Sequence, residues 1–418
     1  MFLNFLLYAV IIFFIFICLN RMKFIKANVH LGCALFLSIW WGYYFVLKIP
    51  YYITVIGPGD SNHITIALLM IIIYLTLFFL GLQVNNFNFN SLINKSIDER
   101  LNVKKIYLLC IVTIVMLCIY NLNRYGTLNF IDSIKQLSER RENTTWGGVG
   151  IYLYYFVSSV FDGLGILCIT LLIKHKKYFF SFFMTTLLVC LFLQAGSKYA
   201  LVWFLYPIAI WSFLIKKVSL FKVFIPLFIL AIIVPIMNLF RNRGEFNFSL
   251  NEYSLMLDVF LARSDLFDGL VLLVEHVEKK GFYELGITIY AIFFRFIPRD
   301  FLPDRLGSSD TYITQEIYNT NSWVFNYGGI GEFYFNFGLI GVAFIGFLSG
   351  SLIKNIDNIL MKSKDENAFF FSMILSSPFW SMPWGIGVNN LFSTMFIFWF
   401  ISIPFCFVIY LLISRIKI

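Results

Sequence analysis

Residues 241–280 read RNRGEFNFSL NEYSLMLDVF LARSDLFDGL VLLVEHVEKK, and residues 281–328 continue GFYELGITIY AIFFRFIPRD FLPDRLGSSD TYITQEIYNT NSWVFNYG. In a chain of 418 residues this is the one long stretch that no membrane-length apolar run interrupts. On both sides of it the sequence is strongly apolar. Hydrophobic residues make up 60% of the whole and charged residues 13%, and the mean hydropathy of +0.81 lies well outside the range of soluble domains. These values predict an all-α, polytopic membrane helix bundle with one large, partly helical outer loop. The net charge of +9 is summed over segments on two sides of a bilayer, so it is no sign of nucleic-acid binding. All seven cysteines fall inside apolar runs, which argues against disulfides and zinc, and neither a metal nor a cofactor is expected.

About eleven runs are long enough to cross roughly 30 Å of hydrocarbon as helices: 2–19, 29–47, 63–82, 106–121, 150–173, 178–194, 199–215, 223–240, 329–351, 368–383 and 391–413. The first has no basic residue before it and Arg21, Lys23 and Lys26 after it, the reverse of a secretory signal, so it is expected to be retained with its N-terminus outside. Threading the runs alternately from there puts eighteen basic residues in inner loops and six (Lys48, Arg124, Lys135, Arg140, Arg141 and Lys198) in short outer loops. Long loops carry no weight in this asymmetry, so 241–328 is left out of it. The count places that stretch outside. The organisation expected is therefore residues 1–240 as spans one to eight, 241–328 as the outer loop, and 329–418 as spans nine to eleven. A loop of this size is marginal as a domain by itself and is expected to pack on the helices.

Within the loop, Ser249-Leu250-Asn251-Glu252 has capping-box spacing and precedes apolar residues at helical period from Met256 to Val277, with Gly281 placed to end the helix. Asp258, Asp265, Asp268 and Glu275 fall on the opposite side, while Arg263 lands in the apolar face. The run 287–297 is too short to span and contains Arg295, which favours a surface-lying or re-entrant segment stopped by Pro298 and Pro303.

Guanidinium groups at the outer mouth of such a bundle match phosphate oxygens two at a time and stay charged at any relevant pH. Arg241, Arg243 and Arg299 are the first candidates for meeting lipid diphosphates there. Headgroup anchoring is the alternative for the first two, and a structural ion pair with Asp265, Asp300 or Asp304 for Arg299 and for Arg263. Arg124, Arg140 and Arg141 are by default solvated. In Tyr327-Gly328-Gly329-Ile330-Gly331-Glu332-Phe333 the glycines would let backbone approach a ligand, and the helix start would offer N–H groups to an anion. Glu332 is either a general base or an acidic residue favoured by the helix dipole. Lys198, in the turn Gln194-Ala195-Gly196-Ser197-Lys198, either binds phosphate or snorkels. His276 is by default a solvated histidine. Tyr312, Trp323 and Tyr327 are candidates for stacking on sugar rings.

The many spans, the large late outer loop, Arg241-Asn242-Arg243-Gly244, Ile297-Pro298-Arg299, Leu302-Pro303-Asp304-Arg305, and Gly329-Ile330-Gly331-Glu332-Phe333-Tyr334 followed by Asn336-Phe337-Gly338 together resemble the bacterial O-antigen polymerases, the oligosaccharide repeat-unit polymerases. The likeness of layout covers nearly the whole chain, and its motifs are short. This chain has Pro303-Asp304-Arg305 where the family often has Pro-Asp-Lys, and Ser197-Lys198 where it has Ser-Arg. The resemblance implies a multi-pass glycosyltransferase of the bacterial inner membrane, N-terminus periplasmic and C-terminus cytoplasmic. It would use no nucleotide sugar and would move a growing glycan from undecaprenyl diphosphate to a hydroxyl of an incoming lipid-linked repeat unit. The residues assigned on that basis are Glu332, Arg241 and Arg299 for catalysis and Arg243, Arg263, Arg295, Arg305 and Lys198 for substrate binding. A separate chain-length regulator is implied as a partner. An O-antigen ligase and a lipid-linked oligosaccharide flippase are the alternatives.

Overall fold

The structure, a computed structural model, describes residues 2–24, 42–56, 61–84, 102–125, 149–193, 266–294, 297, 301–302, 304, 306–319, 324–366, 369, 373 and 398–416. Helix is the only regular structure among them. The α-helices are α1 (Phe2–Phe24), α2 (Lys48–Tyr51), α3 (Ser61–Gly81), α4 (Val103–Tyr125), α5 (Val149–Lys174), α6 (Tyr178–Leu193), α7 (Leu266–Lys280), α8 (Ile287–Tyr290), α9 (Ser309–Tyr318), α10 (Gly328–Glu366) and α11 (Ile403–Arg415). Among the described residues, four helical stretches are long and apolar enough to cross a bilayer: Asn62–Gly81, Val103–Leu122, Gly328–Ile356 and Phe398–Arg415. With the composition, they make this a helical membrane protein. The expected runs 199–215 and 223–240, with most of 368–383, lie outside the described residues.

The chain divides into two compact units. One comprises residues 1–88, 258–361 and 378–395, the other 89–257, 362–377 and 396–418. In the second unit α5 is the central helix, packed against α4, α6 and α11. Polar groups in it find partners across the helices, which an apolar surrounding favours: Asn121 Nδ2 donates to the Leu191 carbonyl at 3.1 Å, and Lys105 Nζ to the Ser414 carbonyl at 2.6 Å.

In the first unit α1 packs along α3, with Thr65 Oγ1 donating to Asn4 Oδ1 at 2.6 Å and the Tyr8 hydroxyl to the Val46 carbonyl at 2.7 Å. The second apolar run, expected to end at residue 47, instead continues as helix through α2 to Ile56, with a wide π turn on each side. Lys48, expected as a loop charge, is therefore inside the fold. Helices α3 and α10 meet backbone to backbone. A β-carbon added to Gly346 would stand 2.6 Å from the Tyr74 carbonyl oxygen, and one on Gly350 would collide with the Phe78 carbonyl. Small residues four apart let apolar helices approach closely enough for dispersion to hold them. Gly350→Val should therefore separate the two helices, since only backbone could yield. The expected outcome is aggregation or degradation of the full-length protein, read by gel filtration in detergent, while Leu348→Val remains monodisperse.

The ninth expected span is not continuous. Gly338 has φ 63° and ψ −151° inside α10, and this left-handed value breaks the helix into residues 328–337 and 339–366. A β-carbon at Gly338 would also run into the Tyr283 ring at 2.7 Å.

Candidate functional site

The residues between the eighth and ninth expected spans reach the site through α7. Its apolar face, Phe267, Leu270, Val271, Val274 and Val277, is buried as the helical period predicts, and Gly281 at φ 76° ends it. An ion pair and a histidine–carboxylate contact fix its ends within the unit. Lys48 Nζ lies 2.8 Å from Asp268 Oδ2, the lysine fully buried and the aspartate 15% exposed, and His63 Nε2 lies 2.9 Å from Glu278 Oε2. Asp268 thus leaves the solvated acidic face expected for it, because a buried ammonium requires a close carboxylate. Glu275 stays on that face and pairs with Lys279 one turn on.

Close packing joins α7 to the start of α10. A β-carbon on Gly269 would stand 2.9 Å from the Asn326 carbonyl, and one on Gly331 3.2 Å from Leu270 and 3.3 Å from Leu273. Gly331 thus serves helix packing. At the helix start, Gly328 N–H donates to Asn326 Oδ1 at 3.1 Å and Tyr327 N–H to the Asp310 carboxylate at 3.0 Å. Tyr327 is fully buried, so it is no platform for a sugar ring. Tyr312 packs edge-on against Phe335, with centroids 6.2 Å apart.

Beyond α7 the chain doubles back through residues 281–286, where Leu285 and Gly286 also have positive φ, 47° and 96°. It docks on the broken helix. With Gly338 non-helical, the carbonyls of Phe335 and Asn336 lose their usual partners four residues on. Glu284 N–H donates to the first and Leu285 N–H to the second, both at 3.1 Å. Helix α8 and the 3-10 turn Ala291–Phe294 follow. Over its described residues the run 287–297 is thus two short helical turns, too short to span. Leu285 (84%), Phe293 (74%) and Phe301 (80%) are exposed while Thr288 points inward and is buried. Exposed aromatic groups beside a membrane helix suit the headgroup boundary.

At the centre is Glu332, fully buried. Thr288 Oγ1 donates to Glu332 Oε1 at 3.0 Å. Asn336, also fully buried, donates through Nδ2 to Thr288 Oγ1 at 2.7 Å and to the Glu332 carbonyl at 2.6 Å, and its Oδ1 accepts from Thr288 N–H at 3.4 Å. The arrangement can hold one carboxyl in a set rotamer and present it with a hydroxyl donor.

A second polar group lies nearby at the end of α7. Lys280 pairs with Glu284 and, at 3.1 Å, with Glu316 on α9, tying α7, the docked segment and α9 together. Burial by itself would lower the Lys280 ammonium, yet its hydrogen bonds to Glu284 and Glu316 hold it above its ordinary value. His276 is not simply solvated. Its Nε2 is buried with no hydrogen-bond partner among the described residues, and burial first, then the neighbouring Lys280, pushes the imidazole below its usual 6.5 against the opposing pull of Glu316 and Glu284. An unfolded chain takes up that proton as pH falls through about 6.5, before the folded one does. Stability is therefore full above that point and declines as pH falls below it. Glu275, held below its usual 4.5 first by the Lys279 hydrogen bond, acts only at lower pH. In His276→Asn the loss of melting temperature between about pH 7 and about pH 5 is expected to shrink, measured by thermal scanning of the purified protein.

Arg241, Arg243, Arg263, Arg295, Arg299, Arg305 and Lys198 lie outside the described residues, so of the assigned residues the structure places Glu332. Thr288 carries weight here without having been singled out, and Lys48 and Asp268 were named but not as partners. The signal of Thr288 and Lys48 in the sequence is a lone polar residue in an otherwise apolar run. Asn336 stood in the motif but without a role, four residues past Glu332 and hence on its face. No protein-family model, curated protein or solved structure matches the chain.

Proposed function

We propose that this membrane protein polymerises lipid-linked glycan repeat units, transferring a growing glycan from undecaprenyl diphosphate to a sugar hydroxyl of an incoming undecaprenyl-diphosphate-linked unit. The observation that carries the reading is Glu332, the acidic residue of the resembling motif. It lies at the start of a broken membrane helix and is held by a hydroxyl donor, as a group that orients or deprotonates an attacking hydroxyl must be. In this reading the eleven spans put residues 241–328 on the outer side of the bacterial inner membrane. Arg241 and Arg299 stabilise the departing diphosphate as its charge grows, and Arg243, Arg263, Arg295, Arg305 and Lys198 bind the two diphosphates. Fixed cations of this kind lower the barrier without a metal. Because Glu332 is covered, a sugar hydroxyl reaches it only once neighbouring side chains other than Thr288 and Asn336 give way.

The test is reconstitution of the purified protein in vesicles with lipid-linked repeat units. A ladder of longer glycans on the lipid carrier without ATP, nucleotide sugar or added metal supports the proposal. No ladder, with transfer to lipid A core instead, assigns the protein as a ligase.

One observation favours a second reading. A fully buried lysine, a fully buried glutamate and a broken membrane helix in one unit are also features of transporters, whose ionisable groups lie inside the bundle. Passage of lipid-linked units across the vesicle without any ladder would select it.

A further inference from the structure

We infer that Thr288 and Asn336 are positioning residues for Glu332, joined in a one-way hydrogen-bond relay that keeps Glu332 Oε1 an acceptor, and that the docking of residues 284–288 on the broken helix builds this relay. The inference rests on the reading of Glu332 as the working carboxyl.

The direction of the relay follows from donor and acceptor inventory. The Glu332 carbonyl oxygen can only accept, so the Asn336 atom 2.6 Å from it must be the amide nitrogen. The second proton of that nitrogen is then directed at Thr288 Oγ1, 2.7 Å away. The other side of the Asn336 amide agrees, since its oxygen accepts from Thr288 N–H. With Oγ1 accepting from Asn336, the single proton of the Thr288 hydroxyl points at Glu332 Oε1, 3.0 Å away. Every group in the chain is buried, so water does not scramble the order. A donor fixed on a carboxylate oxygen favours its charged form and sets its rotamer, which are the requirements of a base or of an acceptor for a sugar hydroxyl.

The same fold feature supplies all the parts. Gly338 frees the Phe335 and Asn336 carbonyls, Glu284 and Leu285 N–H groups take them, and this register puts Thr288 opposite Glu332. Residue 286 must then be glycine. Its φ is 96°, and a β-carbon there would press on the Phe337 ring at 3.2 Å.

The experiment is an infrared titration of the full-length protein in lipid vesicles, with the Glu332 carboxyl signal isolated by subtracting Glu332→Gln. Thr288→Val, which keeps the shape and removes the donor, should raise the titration midpoint of Glu332 by about one pH unit, a tenfold shift in proton affinity. Thr288→Ser should leave it at the wild-type value. Asn336→Ala should move it in the same direction as Thr288→Val. If Thr288→Val does not elute as a folded protein, Thr288→Ala takes its place. A midpoint in the donor-less variant equal to wild type, including no titration in either, overturns the relay. The glycan ladder is scored separately on the same variants. A shifted midpoint together with a normal ladder from Glu332→Gln leaves the relay standing and removes Glu332 from catalysis.

Discussion

Glu332→Gln is expected to reach the membrane at wild-type abundance and to leave surface glycan as single repeat units. The amide is isosteric with the carboxylate, and its Oε1 still accepts from Thr288 Oγ1, so this hydrogen bond survives the change. What disappears is the capacity to take a proton. General-base groups contribute about 10²- to 10⁴-fold in rate, enough to suppress long chains. Gel profiles of extracted glycan alongside quantitative blots of the protein make the comparison. Long glycans at normal abundance in Glu332→Gln would refute the assigned role.

Asp268→Ala should be the most damaging single substitution for stability outside the glycine contacts. It removes the carboxylate 2.8 Å from an ammonium with no solvent exposure. Breaking a buried pair from one side costs several kcal/mol. About 3 kcal/mol, the low end for such pairs, is expected here because Asp268 retains some contact with water. The double variant Lys48→Met/Asp268→Leu has no charge left to bury and should recover most of that loss, so its melting temperature in detergent should lie well above that of Asp268→Ala. Equal melting temperatures for Asp268→Ala and wild type would mean that the pair holds nothing together.

Much of the scaffold was legible because long apolar runs constrain a chain strongly: α1, α3, α4, α5 and α6 each begin and end within a few residues of the boundaries read from hydropathy. The helix α7 was legible for a different reason, an amphipathic period with a glycine at its end. Hydropathy has no vocabulary for the departures. Lys48 looks like a loop charge because a window average cannot know that Asp268, far along the chain, will neutralise it. Gly338 looks like one more tolerated membrane glycine, and only the tertiary partners at Glu284 and Leu285 make its left-handed conformation stable. Glu332 could be chosen from its motif. Its environment could not, since Thr288 arrives by a fold-back whose register depends on two residues at positive φ.

The break at Gly338 also bears on depth. Residues 339–356 of α10, at about 1.5 Å per residue, measure about 27 Å, close to the hydrocarbon thickness of a bilayer. That lower piece can therefore traverse the oily interior alone. The ten residues above it, which carry Glu332, are then released from spanning and can rest among the headgroups. Under the proposed function, the diphosphate of a polyprenyl-anchored substrate would lie in that layer, and the carrier lipid would not need to be lifted out of its leaflet.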